Sequence, residues 1–408
     1  MNAPASSPTP APSTDAWLPL VLTLAIQAAA AMALLTLPVM APEVARGLGV
    51  SPALVGVYVA LTYLGAMTAS LAGGVAVMRW GAIRISQWSL VACALGLLLC
   101  SVAWLPAIAL GAVLIGLGYG PITPASSHLL ARTTPAHRVA LVFSIKQTGV
   151  PVGGILAGAI VPSLMLWLQW QASLAVVAAA CLVFALASQP LRASLDADRR
   201  PEHAVRWASL LAPLRMVLAH PPLALMAACS FLMSMMQMSL GTYLVTYLHE
   251  DLAYGLVGAG LMLSVTQAGG VVGRILWGWI ADRGLGAGRT MLLLAVLMTL
   301  CALATAGFTP ATSRGVVIVV MVLFGASAIG WNGVYLAQVA RRAPAGMASM
   351  ATGGTLAFTF LGVVLGPPLF GALSAGFGTF RAGFLALVGV GSACALLMLW
   401  GGRRERAG

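Results

Sequence analysis

The chain has 408 residues, 60% of them apolar and only 7% charged, with a formal net charge of +12. A mean hydropathy of +0.98 excludes a soluble domain. The basic residues are scattered through short interruptions between apolar runs, which argues against a nucleic-acid surface.

The apolar runs follow one another from end to end. Each is about twenty residues long, enough to cross roughly 30 Å of hydrocarbon as a helix. An all-α membrane protein is therefore expected, since helices satisfy their own backbone in lipid. Residues Met1 to Ala16 are rich in Pro, Ala, Ser and Thr, without a basic start, and read as a disordered tail, not a signal peptide. Twelve spans follow, at 17–41, 53–77, 87–105, 107–131, 139–163, 171–189, 222–248, 255–281, 290–308, 315–340, 347–373 and 382–400. A polar linker over 190–221, including Asp196 and Asp198 and expected to be solvated, divides a six-helix half at 17–189 from another at 222–400. A basic tail, 401–408, ends the chain. Segments on the side of the N-terminus hold sixteen arginines, those on the other side hold Arg46, Arg314 and Arg381, so both termini are expected in the cytoplasm and the protein in the inner membrane. The six cysteines all fall within apolar runs, without metal-ligand spacing, and read as buried packing residues.

The halves repeat each other. Ala131-Arg132-Thr133-Thr134-Pro135-Ala136 recurs as Ala340-Arg341-Arg342-Ala343-Pro344-Ala345, at an offset of 209. Gly149, Gly153 and Gly158 recur as Gly362, Gly366 and Gly371, at an offset of 213. Gly74 and Arg79 are answered by Gly278 and Arg283, at an offset of 204. A duplicated six-helix unit of this kind builds transporters with a site between the halves, near the midplane.

The pattern Gly278-x3-Asp282-Arg283, with its first-half counterpart Gly74-x3-Met78-Arg79-x-Gly81, resembles the loop signature of the major facilitator superfamily over essentially residues 17–400. The resemblance implies a monomeric transporter of two six-helix bundles. It also implies a cytoplasmic gate at this loop, which assigns gating roles to Gly278, Asp282, Arg283, Arg79 and Arg341. Met78 departs from the family's acid, so a gate of this type would rest on Asp282 and a partner such as Arg341 or Arg342.

All nine carboxylates fall outside the spans, whereas Lys146, the sole lysine, and Arg274 fall within them. Lys146 is eight residues after Arg138 and Arg274 eight residues before Asp282. At 1.5 Å per residue both sit about 12 Å from the cytoplasmic edge, beyond the roughly 6 Å reach by which a side chain could snorkel out. An ionisable group at such depth marks a function by default. Two cations at one level with no acid call for an anion, and a guanidinium beside an ammonium suits a carboxylate. Their repeat counterparts, Ser70 for Arg274 and Thr359 for Lys146, are neutral, so the scaffold does not demand the charges. The Arg274-x7-Asp282 spacing also resembles the helix-8 arginine of nitrate, oxalate and monocarboxylate branches of the superfamily, where it binds the anion.

Gln147, Gln267, Tyr63, Tyr119, Gln237, Tyr243 and Asn332 are further polar residues within spans. They are candidates to line the cavity or to bond helix to helix. His128, near the inner end of span 4, could titrate near neutrality or simply pack. Glycine and proline in spans 4, 5 and 11 permit close contact and kinks. No phosphate-binding loop, nucleotide, metal or other cofactor is expected. The reading is a secondary or facilitative transporter of a small organic anion, with membrane lipid as its surroundings and no nucleic-acid partner. The alternatives are a drug or metabolite exporter, since Gly149-x-Pro151-x-Gly153-Gly154 partly resembles an antiporter signature of the superfamily, and a non-transporting membrane receptor or enzyme.

Overall fold

A computed structural model describes residues 17–134, 139–199, 212–344 and 348–407. The expected tail at 1–16, Arg138, most of the linker beyond Arg199 and the repeat residues Pro135, Ala136 and Ala345 lie outside the described residues.

The described chain is helical, as continuous apolar sequence in a membrane must be. The first half holds α1 (Trp17–Val39), α2 (Ala41–Leu48), α3 (Val55–Trp80), α4 (Ala82–Cys100), α5 (Leu105–Tyr119), α6 (Ile122–Thr133), α7 (Val139–Gln147), α8 (Gly149–Leu164) and α9 (Trp170–Ala187). Two short helices, α10 (Arg192–Leu195) and α11 (Ala212–Ala219), belong to the linker. The second half holds α12 (Pro221–Glu250), α13 (Leu256–Ile280), α14 (Gly286–Ala306), α15 (Arg314–Gly330), α16 (Asn332–Arg342), α17 (Ala348–Phe377) and α18 (Phe380–Ala407). Among the described residues, eleven helical stretches are long and apolar enough to cross a membrane; one, Leu256–Ala306, has 51 residues. It comprises α13 and α14, joined by a π-turn over Ala281–Leu285 and by Gly286 at φ 72°.

Three expected spans are broken helices. Pro121 and Pro124 remove N–H donors where α5 gives way to α6, and Pro151 does the same one turn past the α7–α8 break. The third break, between α15 and α16, falls at Trp331, flanked by Gly330 and Gly333. At the C-terminus α18 runs on through the expected tail to Ala407.

The repeat is visible in the packing. A methyl on Gly116 of α5 would stand 1.9 Å from the Thr62 carbonyl oxygen of α3, and one on Gly325 of α15 would stand 1.8 Å from that of Thr266 on α13. The offsets between these pairs are 325 − 116 = 209 and 266 − 62 = 204, those of the sequence repeat. Gly65 against Val113 and Gly269 against Val322 obey the same two offsets. Backbone is packed on backbone at these crossings, the arrangement small residues make possible in membranes.

The bundles meet along two seams, α8 with α13 and α3 with α17. On the first, Gly158 and Gly260 each approach the other's carbonyl, within 2.4 Å of where a Cβ would be. The repeat-related contact on the second places Gly371 against the Ala53 carbonyl, 2.6 Å from where its Cβ would be.

Candidate functional site

Lys146 occupies the last turn of α7 and is 1% exposed, among the largest fully buried side chains. Its Nζ has no hydrogen-bond partner. It takes part in no ion pair among the described residues, yet it lies within repulsive range of the Arg274 charge. An unpaired buried ion costs several kcal/mol, a large share of a protein's whole stability. Nothing in the described surroundings offsets that cost.

Arg274, on α13, is partly buried. Its Nε donates to the Ile329 carbonyl at 3.2 Å and its Nη1 to the Gln147 carbonyl at 2.8 Å. The arginine therefore bonds helix carbonyls, as a guanidinium beside a glycine-rich contact can. Both carbonyls lie at helix breaks, Ile329 just before Trp331 and Gln147 just before Thr148. The Tyr119 hydroxyl is near enough to feel the Arg274 charge.

A small cavity of about 60 Å³ lies between the bundles on the far side of these cations from the basic ends of the helices. Tyr63, Tyr119, Gln237, Gln267, Val150 and Ile329 contribute to its wall. Neither Lys146 nor Arg274 is among its lining residues; Val150 is one turn from Lys146 and Gln267 two turns from Arg274. Tyr63 and Tyr119 meet edge to face, ring centroids 6.2 Å apart. Gln267 is buried against Gly154 of the opposite bundle. Gln237 accepts from the buried Trp331 Nε1 at 2.9 Å and from Asn332 Nδ2 at 3.5 Å, so Asn332 reaches the wall through Gln237. The Gln147 side chain is only partly buried, and its backbone carbonyl makes the contact described above.

Tyr243 is placed elsewhere. Its hydroxyl donates at the α3–α17 seam, 2.7 Å from the Ala53 carbonyl and 3.0 Å from that of Pro367, with its ring stacked 4.5 Å from Phe370. Ser264 Oγ donates to the Ile155 carbonyl at 2.9 Å, and Arg46 meets His249 at 3.3 Å, so these also join the bundles. Together with the Arg274–Gln147 bond they run from the cation level to the end bearing Glu43, Glu250 and Asp251.

At the opposite, basic end, Asp282 is exposed, and no ion pair joins it to Arg341 among the described residues. Arg341 is exposed too. Arg283 lies over the Trp279 ring at 5.1 Å and Arg79 over Trp80 at 5.2 Å, each a near neighbour in sequence at the end of its own helix. A Cβ on Gly278 would meet open space.

The linker acids are the residues sequence reasoning missed. Asp196 was expected in solvent but is 4% exposed. Its carboxylate accepts from the Ile83 and Arg84 backbone N–H groups, at 2.8 and 3.0 Å, capping the first turn of α4. Asp198 pairs with Arg132 and with His128 Nε2, the latter at 2.7 Å. Partial burial pushes the Asp198 carboxyl up, but the His128 hydrogen bond and the Arg132 charge outweigh it and hold the group below its ordinary range. These contacts fasten the linker beneath the first bundle. The sequence signal was available only as an acid pair beside a basic helix end.

The Major Facilitator Superfamily pattern matches residues 21–359, and the chain belongs to that family. It is similar to the sodium-dependent phosphate transport protein 1, chloroplastic, of Arabidopsis thaliana, with 23% identity over 57% of this chain and 48% of that protein. It is also similar to monocarboxylate transporter 11 of Homo sapiens, with 30% identity over 36% of this chain and 33% of that one. The chain thus spans half or less of the curated relatives it matches. Among solved structures, the nucleoside transporter NupG superposes with a TM-score of 0.76 at 15% identity, over 95% of this chain and 98% of its own. The peptide transporter POT in complex with sulfate also gives 0.76 at 15% identity, over 96% and 94%. These likenesses establish the fold.

Proposed function

We propose that the protein is a secondary or facilitative transporter that carries a small organic anion, a carboxylate, across the inner membrane by alternating access. The observation that carries this reading is the Lys146 ammonium, buried without a partner beside the Arg274 guanidinium. An arriving carboxylate would neutralise the pair and supply the missing acceptor. Tyr63, Tyr119, Gln147, Gln237, Gln267 and Asn332 would orient the rest of the solute. The relatives' names support the reading, since one is a phosphate transport protein and another a monocarboxylate transporter. A cationic substrate is disfavoured, because no carboxylate is among the residues that line the cavity.

In this reading the sealed end around Tyr243 faces outward and the conformation is inward-facing. Gly278, Asp282, Arg283, Arg79 and Arg341 would then form the inner gate in the opposite state, which explains why Asp282 stands free here. The protein would act as a monomer embedded in lipid, with both termini in the cytoplasm.

The test is uptake of labelled lactate, pyruvate and oxalate into vesicles containing the purified protein. Competition among acids, with no inhibition by lipophilic cations, is expected. Parental uptake by folded Lys146→Ala and Arg274→Ala proteins would overturn the reading, and inhibition by lipophilic cations alone would favour an exporter.

A further inference from the structure

In an α-helix the carbonyl of residue i accepts from the N–H of residue i+4. For Gln147 that residue is Pro151, which has no N–H. The Gln147 carbonyl is thus released from its own helix, and a carbonyl in a membrane interior must find another donor. It finds Arg274 Nη1 at 2.8 Å, on the other bundle. Arg274 Nε is meanwhile held at 3.2 Å by Ile329, on its own bundle. The guanidinium is therefore suspended between two carbonyls at helix breaks, one from each half.

The repeat shows that this is not a requirement of the fold. Val364 is the counterpart of Pro151, at 364 − 151 = 213, the offset that relates these helices. Valine keeps its N–H, and α17 passes through this level unbroken. Ser70, the counterpart of Arg274, bonds back to the Met67 carbonyl of its own helix at 3.2 Å. The released carbonyl and the cation that takes it occur together, in the one seam that has both.

We propose that the Gln147 carbonyl, released by Pro151, is a resident stand-in for the substrate anion in the fork of Arg274. It ties the bundles at the innermost of the seam bonds described above while the site is empty, and the anion must displace it. Pro151 is a positioning residue: it acts through the carbonyl it sets free. The proposal rests on the anion reading of Lys146 and Arg274 and gives that reading a mechanism for coupling.

The guanidinium is an ionised donor to either acceptor, but an anionic oxygen adds a direct charge–charge attraction, and can be gripped bidentately, where a neutral carbonyl offers neither. The anion therefore wins the exchange, gripped from one side by Lys146, which has no competing partner. In winning it cuts the Arg274–Gln147 tie between the halves. A ligand shifts a conformational equilibrium by its differential affinity for the two states, and here the difference is built into a single donor. A neutral solute filling the cavity would leave the tie intact, so the device also selects by charge.

The experiment uses the full chain in proteoliposomes, with Gly241→Cys as reporter. Gly241 borders the central cavity, and a side chain there meets open space. The six native cysteines are buried, so the introduced thiol supplies the signal. Its alkylation by an impermeant maleimide from the outer face measures opening of that face. Without added solute, Pro151→Ala should alkylate about tenfold faster than its parent, the low end for one hydrogen bond to a charged group. Pro151→Gly also restores the N–H and should do the same. Thr148→Ala, next to the released carbonyl and with a hydroxyl that bonds only the Ile145 carbonyl of its own segment, should match the parent. In an Arg274→Ala background Pro151→Ala should add nothing, because the tie is already cut. Parental rates in both proline variants overturn the proposal, as does full additivity with Arg274→Ala or a Thr148→Ala effect equal to that of Pro151→Ala. In a second arm, lactate, pyruvate or oxalate should accelerate the parent and leave Pro151→Ala unchanged; acceleration of both alike also overturns it. The first arm needs no solute, so its failure removes the tie. If none of the three acids accelerates the parent while the first arm holds, the carboxylate reading fails and the tie stands.

Discussion

The two halves share a scaffold and differ at the level where the cations sit. Ser70 and Thr359 occupy the neutral positions, and each hydroxyl bonds a carbonyl of its own helix, at 3.2 and 3.4 Å. Neither needs anything from outside its helix. Lys146 and Arg274 occupy the repeat-related positions, and neither is satisfied that way: one has no partner and the other reaches into the opposite bundle. A duplicated fold thus supplies its own control. Where symmetry is kept the residues serve packing, and where it is broken at a buried charge the departure points to a ligand.

The largest expected effect comes from breaking that asymmetry. Arg274→Ala removes charge-assisted bonds worth about 1.5–3 kcal/mol each. Lactate uptake into vesicles should fall by about a hundredfold or more, with Lys146→Ala close behind. Ser70→Ala and Thr359→Ala should stay within about twofold, since only local bonds are lost; equal losses at all four positions would erase the distinction. Next come the crossings where the halves agree. Gly116→Ala and Gly325→Ala each press a methyl onto a facing carbonyl, at 1.9 and 1.8 Å before relaxation. Each should destabilise by about 1–3 kcal/mol in thermal unfolding, by similar amounts. A cost at only one would show that the packing repeat is superficial.

Smaller effects belong to the inner ends, where the halves differ again. The first half has Met78 at the signature position and receives Asp196 from the linker, while the second keeps Asp282 exposed. Asp196→Ala should lower stability by about 1 kcal/mol through loss of the α4 cap, and Asp282→Asn should leave stability unchanged. The smallest concerns Asp198, whose folded carboxyl lies below its ordinary range. A depressed acid contributes stability above its unfolded pKa and loses it as pH falls through the folded value. The melting difference between parent and Asp198→Asn should therefore be present above about pH 4 and vanish on further acidification. A difference that grows as pH falls would contradict the linker contact.

Much of the site was legible before any coordinates. The lone lysine, the depth of Arg274 and the neutrality of their repeat partners follow from counting residues along spans. The released Gln147 carbonyl was legible in principle, because Pro151 four residues later is a purely local fact. Its partner was not, since Arg274 lies 127 residues away and only the seam brings them together. Tyr243 shows the opposite case. As a polar residue in a span it reads like any cavity candidate, and only packing at the α3–α17 seam sends its hydroxyl to Ala53 and Pro367. Asp196 was misplaced because a charge in a polar stretch reads as solvated, whereas the exposed N–H groups that begin α4 draw it inward.

By itself the sequence determined the membrane class, the duplicated all-helical plan and the two buried cations. Each depends on hydropathy, periodicity or spacing along one chain, quantities that lipid as solvent turns directly into structure. Only the tertiary structure decided which carbonyls hold Arg274, that Lys146 is left without a partner, and which end of the seam is shut. Those depend on pairings between distant helices, where a hydrogen-bonding group takes the partner that packing brings within reach.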